Sequence, residues 1–525
     1  MKNLFNGLML LASLSCFTVH ISYAQDVAKG IIYEDINQNG KLDKHEKRLG
    51  NVAVSNGVEV VQSNSKGEYV LPIGNDNILF VIRPAGYSVP VNKNNLPQFY
   101  YIHNPFGTPD LAYKGAAATG KIPKSVDFGL IPEEDTDDFK ILVFGDPQVY
   151  NEEEVDYLRR GVVDELVGIK GYSFGVSLGD LVGNKPSLFN SYINVMKDIG
   201  IPWYQVMGNH DINFDVADDS LSDISFKAHF GPNNYALNKG KVHFIVLDDV
   251  LYQGKGAKKG YIGGLRKDQL DFIENDLKFV PKDHLIVLCM HIPLFNNGKN
   301  VWRKNDINRL FELLEDYPYT FSMSAHTHYQ KQIFIDKAFG WKQDKPHHHY
   351  NVGTTSGNWY SGELNSEGIP SSTMTDGTKK GYATVSFVGN QYIVDYFVSG
   401  ESKDIKMNVF LPKIVKKARS TDANIVVNYY LGGDKDSVDF QIDDQDWKPM
   451  VKKEVQDPHL LLEVMKWDTV DTLLAGDRPD NPSLSSHIWV TPVPSNLKVG
   501  RHKVKIRVRD MYGRTHLAEN SYEIK

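Results

Sequence analysis

The hydrophobic positions of the chain change period twice. From Ala28 to about Phe128, short alternating runs such as Glu68-Tyr69-Val70-Leu71 and Ile78-Leu79-Phe80-Val81-Ile82 alternate with clusters of turn residues. Nothing there repeats at helical spacing, so the region predicts a small β-sandwich over 25–132. The acidic stretch from Glu133 to Asp138 reads as a linker. From Ile141 onward apolar strands alternate with helical segments. Val155, Leu158, Val162 and Leu166 share one helix face, and Ile307, Leu310, Phe311 and Leu314 share another. With strands expected at 174–177, 203–207, 243–247, 285–289 and 320–324, residues 138–400 predict an α/β layered domain. Beyond about Met407 the helical period disappears. Val504, Ile506 and Val508 alternate with Lys503, Lys505, Arg507 and Arg509, as in half-buried strands, so 407–525 predicts a second β-sandwich. Two local runs fall outside this scheme. His347 to His349 reads as a solvated loop, and Tyr261 to Leu265 as a structural turn before a helix carrying Leu270, Ile273 and Leu277.

Composition narrows the setting. A chain of 525 residues, 41% hydrophobic and 23% charged, is globular and too long for a single core. Residues 1–24 carry Lys2, an apolar run from Leu8 to Val19 and the small-x-small triplet Ser22-Tyr23-Ala24, the pattern of a signal peptide cleaved after Ala24. That run is shorter than the roughly 20 apolar residues that span a bilayer, so the expected product is exported to the periplasm with no transmembrane anchor. Cleavage leaves Cys289 as the one cysteine, which excludes an intramolecular disulfide. The net charge of −7 and the lack of a basic run argue against nucleic acid as a partner. Attraction for a phosphate group must therefore be local.

Five polar clusters follow the ends of expected strands: Gly145-Asp146-Pro147-Gln148, Gly179 to Gly183, Gly208-Asn209-His210-Asp211, Met290-His291-Ile292-Pro293 and Ala325-His326-Thr327-His328. The carboxyl ends of strands in open α/β sheets line a ligand crevice, so residues far apart in sequence can form one site. Two divalent ions held side by side need a bridging carboxylate and neutral donors that leave positions open to water and substrate. Asp180, between two glycines, suits the bridge.

In this order the five clusters resemble the calcineurin-like metallophosphoesterases, whose motifs read D-x-H, G-D-x-x-G, G-N-H-[DE], a lone H and G-H-x-H. The resemblance implies a four-layer αββα core between the two sandwiches. It implies one metal on Asp146, Gln148 and His328, a second on Asn209, His291 and His326, and Asp180 on both. It further implies hydrolysis of phosphate monoesters or diesters by a hydroxide between the ions, with His210 as general acid and Asp211 orienting its imidazole. Runs in the C-terminal region, Asp457-Pro458-His459 and Ser486-His487-Ile488-Trp489 among them, resemble an exported bacterial branch of that family. A catalytically inactive binding or scaffold protein that keeps the cage is the alternative.

Two positions depart from the family pattern. Gln148 replaces a histidine and Ala325 a glycine. An amide oxygen is a harder, weaker donor than imidazole, which favours manganese, magnesium or iron, with zinc also among the expected ions of the pair. Trp359 or Tyr360 as a stacking platform and Asp376 as a hydroxyl acceptor are candidates for substrate contact; ordinary turns with anchoring aromatics fit the same residues. The expected substrate is a phosphorylated small molecule, glycan or lipid head group. Separately, Asp35, Asn37, Asn39, Lys41, Asp43 and Glu46 fit the spacing of a calcium loop without its helix pair. A structural calcium site and a polar hairpin of turn-forming side chains both satisfy that spacing.

Overall fold

A computed structural model describes residues 26–254, 260–296 and 299–525, so the expected signal peptide lies outside the described residues. In the N-terminal region the strand Val27–Glu34 pairs antiparallel with Glu68–Pro72 and parallel with Phe128–Pro132. A second four-stranded sheet runs in the order Val60–Gln62, Ala53–Ser55, Asn77–Val81, Tyr100–His103. The loop from Asp35 to Glu46 folds on itself. Asp35 accepts the N–H groups of Asn39 and Gly40, Glu46 those of Ile36 and Asp43, and Asp43 Oδ2 accepts both the Asn37 and Asn39 side-chain amides at 2.8 Å. The stretch after Pro132 is not a free linker, because Glu133 binds the nearly buried Arg83 and Lys239 and ties the first sandwich to the next domain.

The central domain is built from two sheets. Asp138–Phe144, Phe174–Leu178 and Trp203–Val206 are parallel neighbours, and the antiparallel pair Gly381–Val388 and Gln391–Val398 completes the first. The second has parallel strands Val242–Val246, Leu285–Cys289, Thr320–Ser324 and His347–Asn351 at its centre. Parallel neighbours require crossovers, and these carry the helices Glu152–Leu158, Phe189–Met196, Lys267–Leu277 and Lys304–Leu313, which cover the outer faces. Between the sheets the rings of Phe139, Phe174 and Phe387 surround Phe244 at 6.3, 5.4 and 5.5 Å. Four layers result. The first helix widens at Arg159–Val163 and tightens again to Leu166, which keeps Val155, Leu158, Val162 and Leu166 all buried.

The C-terminal region also holds two sheets, in the orders Met407–Phe410, Asn424–Tyr429, Ile488–Pro492, Val451–Lys452 and Ile414–Val415, Thr515–Ile524, Gly500–Arg509, Ser437–Ile442, Lys448–Pro449. It is not free of helix. Pro458–Thr469 is helical, opened by Asp457, whose carboxylate accepts the N–H groups of His459 and Leu460, with Pro458 in the first turn. Only Leu460 and Val464 of that helix are buried, so its apolar stripe is too short to register as a period. The interface with the central domain is polar and specific. Arg514 pairs with Asp395 at 2.8 Å and donates to the Val394 carbonyl, while His487 meets Asp376 at 2.9 Å, both side chains buried. Among the described residues no helix is long and apolar enough to cross a membrane.

The histidine run is the largest departure from expectation. His347–Asn351 is a buried strand between Thr320–Ser324 and Lys331–Ile335, and its imidazoles are satisfied by hydroxyls and amides on both faces. Alternation along a strand divides adjacent residues between two faces, which is why three consecutive histidines all find partners. Burial pushes the imidazoles of His347 and His349 down to about 3, and that of His348 well below its ordinary range. The unfolded chain takes up protons at these residues below about pH 6.5 while the folded chain does not, so folding stability falls as pH falls through that value. Urea unfolding at about pH 5.5 should show a loss of about 1 kcal/mol per histidine relative to about pH 7.5. Unchanged proton uptake on unfolding would show that these imidazoles titrate normally in the fold.

Candidate metal centre

The five polar clusters converge at the carboxyl ends of the parallel strands of both sheets, because each cluster follows its strand by one to four residues. The turns are backbone-strained. Asp146, Gln148, Asp180, His326 and His328 have φ of 35°, 39°, 48°, 70° and 52°, a region that non-glycine residues enter at a cost on the order of 1 kcal/mol each and that concentrates at functional sites. Two glycines make the approach possible. A Cβ on Gly208 would lie 2.1 Å from the Asp180 backbone nitrogen, and one on Gly179, itself at φ 90°, would lie 2.5 Å from His291 Nδ1. Ala325 is not among the positive-φ residues, so the missing glycine costs nothing there.

Ligand atoms face one another at close range. His291 Nδ1 lies 2.8 Å from the Leu178 carbonyl, which can only accept, so a proton sits on Nδ1, and in the neutral ring the Nε2 lone pair points inward. That lone pair meets Asn209 Oδ1 at 3.0 Å, Asp180 Oδ2 at 3.2 Å and His326 Nδ1 at 3.2 Å. Ligand atoms of Asp180, His291 and His326 all lie within 4.8 Å of one another. On the other side His328 Nδ1 donates to the Gly357 carbonyl at 2.9 Å, which turns Nε2 toward Asp146 Oδ1 at 3.9 Å. The Gln148 side-chain oxygen is buried there without a hydrogen-bond partner. A convergent set of lone pairs, two carboxylates and an orphaned amide oxygen is the donor set of a divalent cation, so the residues fit the metal that their chemistry implies.

The electrostatics agree with that reading. Burial pushes the His326 and His328 imidazoles down to about 3 and about 4, which keeps their lone pairs free at neutral pH. Burial pushes the Asp146 carboxyl well up. At Asp180 burial also pushes upward but is overcome by the charges of His291 and His210, leaving a strongly acidic carboxyl. Against burial, Asp180 and Asp146 raise His291 to about 10, so in the absence of a cation a proton on Nε2 takes the cation's place.

Several expected roles fall on other residues. Asp211 does not touch the His210 ring; its buried carboxylate accepts the N–H groups of Leu181, Val182 and Gly208 and so holds two of the metal loops together. The ring is instead held by Asn184, whose side-chain oxygen lies 2.7 Å from His210 Nδ1. Asp249 supports the His291 loop in the same way, accepting the N–H groups of His291 and Ile292 and the Trp302 indole. Tyr360 is buried with its hydroxyl donating to the Pro147 carbonyl, and Asp376 is buried among Gln330, Thr378 and His487, so the polar groups of both are taken up inside the fold. Trp359 does reach the centre. Its ring stacks on His328 at 4.2 Å, with 44% of the residue exposed. Tyr261, read from sequence as structural, stands edge-on to His326 at 5.9 Å. Asn184 directly follows the glycine that closes the second motif, a signal the motif alone did not flag; Asp249 and Tyr261 carry no motif at all.

Gln148→Ala should lower cation occupancy and hydrolytic activity together, whereas unchanged occupancy by elemental analysis would remove Gln148 from the centre. Gly208→Ala should abolish cation binding, because the added methyl displaces Asp180; retention of full binding would show that the loop yields.

Family models match most of the chain in three consecutive pieces: the N terminal of calcineurin-like phosphoesterase over residues 36–112, calcineurin-like phosphoesterase over 139–330 and the C terminal of calcineurin-like phosphoesterase over 349–516. No curated protein matches the chain. Solved structures similar to it include a purple acid phosphatase from yellow lupin (Lupinus luteus) seeds, with 12% identity, 67% of this chain and 68% of that chain covered and a TM-score of 0.36. GAP50, the anchor in the inner membrane complex of Plasmodium, shows 15% identity over 50% of this chain and 85% of its own, with a TM-score of 0.31. With its metal-site domain and both flanking regions matched, the chain belongs to the calcineurin-like phosphoesterases.

Proposed function

We propose that the chain hydrolyses phosphate monoesters or diesters at a dinuclear centre. One ion would be held by Asp146, Gln148 and His328, the other by Asn209, His291 and His326, with Asp180 shared. The observation that carries this is the inward convergence of ligand atoms around Asp180, with the Gln148 oxygen left unpartnered. When bound, such ions polarise the phosphoryl oxygens and lower the pKa of the attacking water.

The chain's own residues supply the rest. The Asn184 side-chain oxygen holds the His210 proton on Nδ1, so Nε2 is the atom turned to the centre, 4.0 Å from Asp180 Oδ2. A protonated Nε2 there can deliver its proton to the leaving oxygen of the ester. The His210 backbone N–H also donates to Asp180 Oδ1 at 2.7 Å, which ties the loop of the acid to the shared carboxylate. Trp359 and Tyr261 flank the centre with exposed aromatic surface, suited to the organic part of a phosphorylated small molecule, glycan or lipid head group. Oxygen donors from Gln148 and Asn209 favour manganese, magnesium or iron over zinc.

We further infer export to the periplasm, on the strength of the apolar run and small-x-small triplet before Gln25. Calcium in the Asp35–Glu46 loop would have a structural role only. It should raise the melting temperature of the wild-type chain and not that of Glu46→Gln; equal shifts would leave the loop a polar hairpin.

The assay of the central reading is hydrolysis of p-nitrophenyl and bis-p-nitrophenyl phosphate with added manganese. Turnover of at least one ester is expected, lost on chelation, and its complete absence would favour a binding or scaffold protein. His210→Asn should cut turnover on a phosphate ester with a poor leaving group by about 100-fold and spare p-nitrophenyl esters. Equal effects on both would contradict the acid role.

A further inference from the structure

The buried histidines of His347–Asn351 do more than fill a core. One face of that strand and of its parallel neighbour Thr320–Ser324 carries only hydrogen-bonding side chains: Thr320, Ser322 and Ser324 against His347, His349 and Asn351. Thr320 Oγ1 lies 2.8 Å from His347 Nδ1, and His347 Nε2 lies 2.7 Å from Ser322 Oγ. Ser322 Oγ is 2.6 Å from His349 Nδ1, and His349 Nε2 is 2.9 Å from Ser324 Oγ. Ser324 donates to Asn351 Oδ1 at 3.1 Å. The Asn351 amide then donates to Thr327 Oγ1 at 2.6 Å and to the Tyr329 carbonyl at 2.7 Å.

The direction of every bond in this chain is fixed from its inner end. The Tyr329 carbonyl can only accept, so the Asn351 nitrogen faces it and the Asn351 oxygen faces Ser324. Ser324 therefore spends its one proton on Asn351 and must accept from His349 Nε2. His349 Nδ1 is then an acceptor, Ser322 donates to it, and Ser322 in turn accepts from His347 Nε2. Thr320, half-buried at the strand's start, donates to His347 Nδ1. A single polarity runs from the N-terminal ends of the two strands to Thr327, with both histidines neutral and protonated on Nε2.

Thr327 is the residue between His326 and His328, whose backbones sit at φ 70° and 52°. Its backbone is closed by the Thr327 N–H on the Ala325 carbonyl at 2.8 Å and by Asp146, which accepts the His326 N–H at 2.9 Å, and its outer side chain, Thr327, meets Asn351. We infer that Ser324, His349 and Asn351 are positioning residues for the His326–His328 turn, the polarised chain fixing Thr327 and thereby the aim of both imidazoles. The inference rests on the cage reading given above. Groups hydrogen-bonded directly to a metal's ligands are worth about 10- to 100-fold in metal affinity, and a chain that acts through the turn between two ligands falls at the low end of that range.

Two measurements on the full chain separate the possibilities. With histidine labelled by nitrogen-15, long-range proton–nitrogen spectra at neutral pH should show His347 and His349 as Nε2–H tautomers, assigned with the single His→Gln variants; an Nδ1–H tautomer at either would overturn the chain whatever the cage does. Manganese binding followed by calorimetry should weaken about tenfold in Ser324→Ala at little cost in melting temperature, and Ser324→Thr, which restores the hydroxyl, should recover it. Equal affinity of Ser324→Ala and wild type would overturn the positioning role while leaving the cage intact. A wild-type chain that binds no manganese would sink the cage reading, and the positioning role with it.

Discussion

Everything at this centre follows from a concentration of lone pairs that the fold cannot satisfy by itself. The Nε2 of His291, the Oδ1 of Asn209, the Oδ2 of Asp180 and the Nδ1 of His326 approach one another to about van der Waals distance or less, and the carbonyl of Leu178 takes the Nδ1 proton of His291, so without a cation only a second proton on Nε2 relieves them. Acceptors facing acceptors in a buried site are repulsive, and burying polar atoms without partners costs on the order of 2 kcal/mol each. Five residues in left-handed backbone add further strain to the same few turns. A cation reverses the sign of all these terms at once. The folded scaffold therefore has to be rigid enough to hold the donors together before the ion arrives, and the rest of the structure can be understood as the means of doing so.

Part of that rigidity comes from carboxylates that never meet a substrate. Asp211 gathers the N–H groups of the second and third metal loops, and Asp249 those of the His291 loop. Burial pushes the carboxyl of Asp249 up to about 7, and burial with the charge of Asp180 raises that of Asp211, so neither is a comfortable anion. Their backbone donors compensate. The C-terminal domain joins in through Asp376, which accepts from the Gln330 N–H two residues past His328 and is itself held by His487. A flanking sandwich thus reaches to within a few residues of the centre, which gives it a structural reason to accompany the catalytic domain.

The strands, the three-region layout and the converging clusters were legible because each rests on a period or a motif that one stretch of chain displays by itself. Strand ends placed Asp146, Asp180, Asn209, His291, His326 and His328 together without any knowledge of the sheets. What was not legible depends on contacts between distant segments. The burial of His347 to His349 requires the serines of a neighbouring strand, the replacement of Asp211 by Asn184 beside His210 requires the path of two loops, and the withdrawal of Asp376 from the surface requires a histidine more than a hundred residues away. The helix Pro458–Thr469 was missed for a different reason, since only Leu460 and Val464 of its apolar side chains are buried, too few to give a stripe.

The most direct test is anomalous diffraction from crystals of the wild-type chain grown with manganese. The account predicts a peak bonded to Asp180 Oδ2, His291 Nε2 and His326 Nδ1, with a second on the far side of Asp180 against Asp146, Gln148 and His328. A difference map without anomalous density at these atoms, and with His291 Nε2 protonated against Asp180, would contradict it.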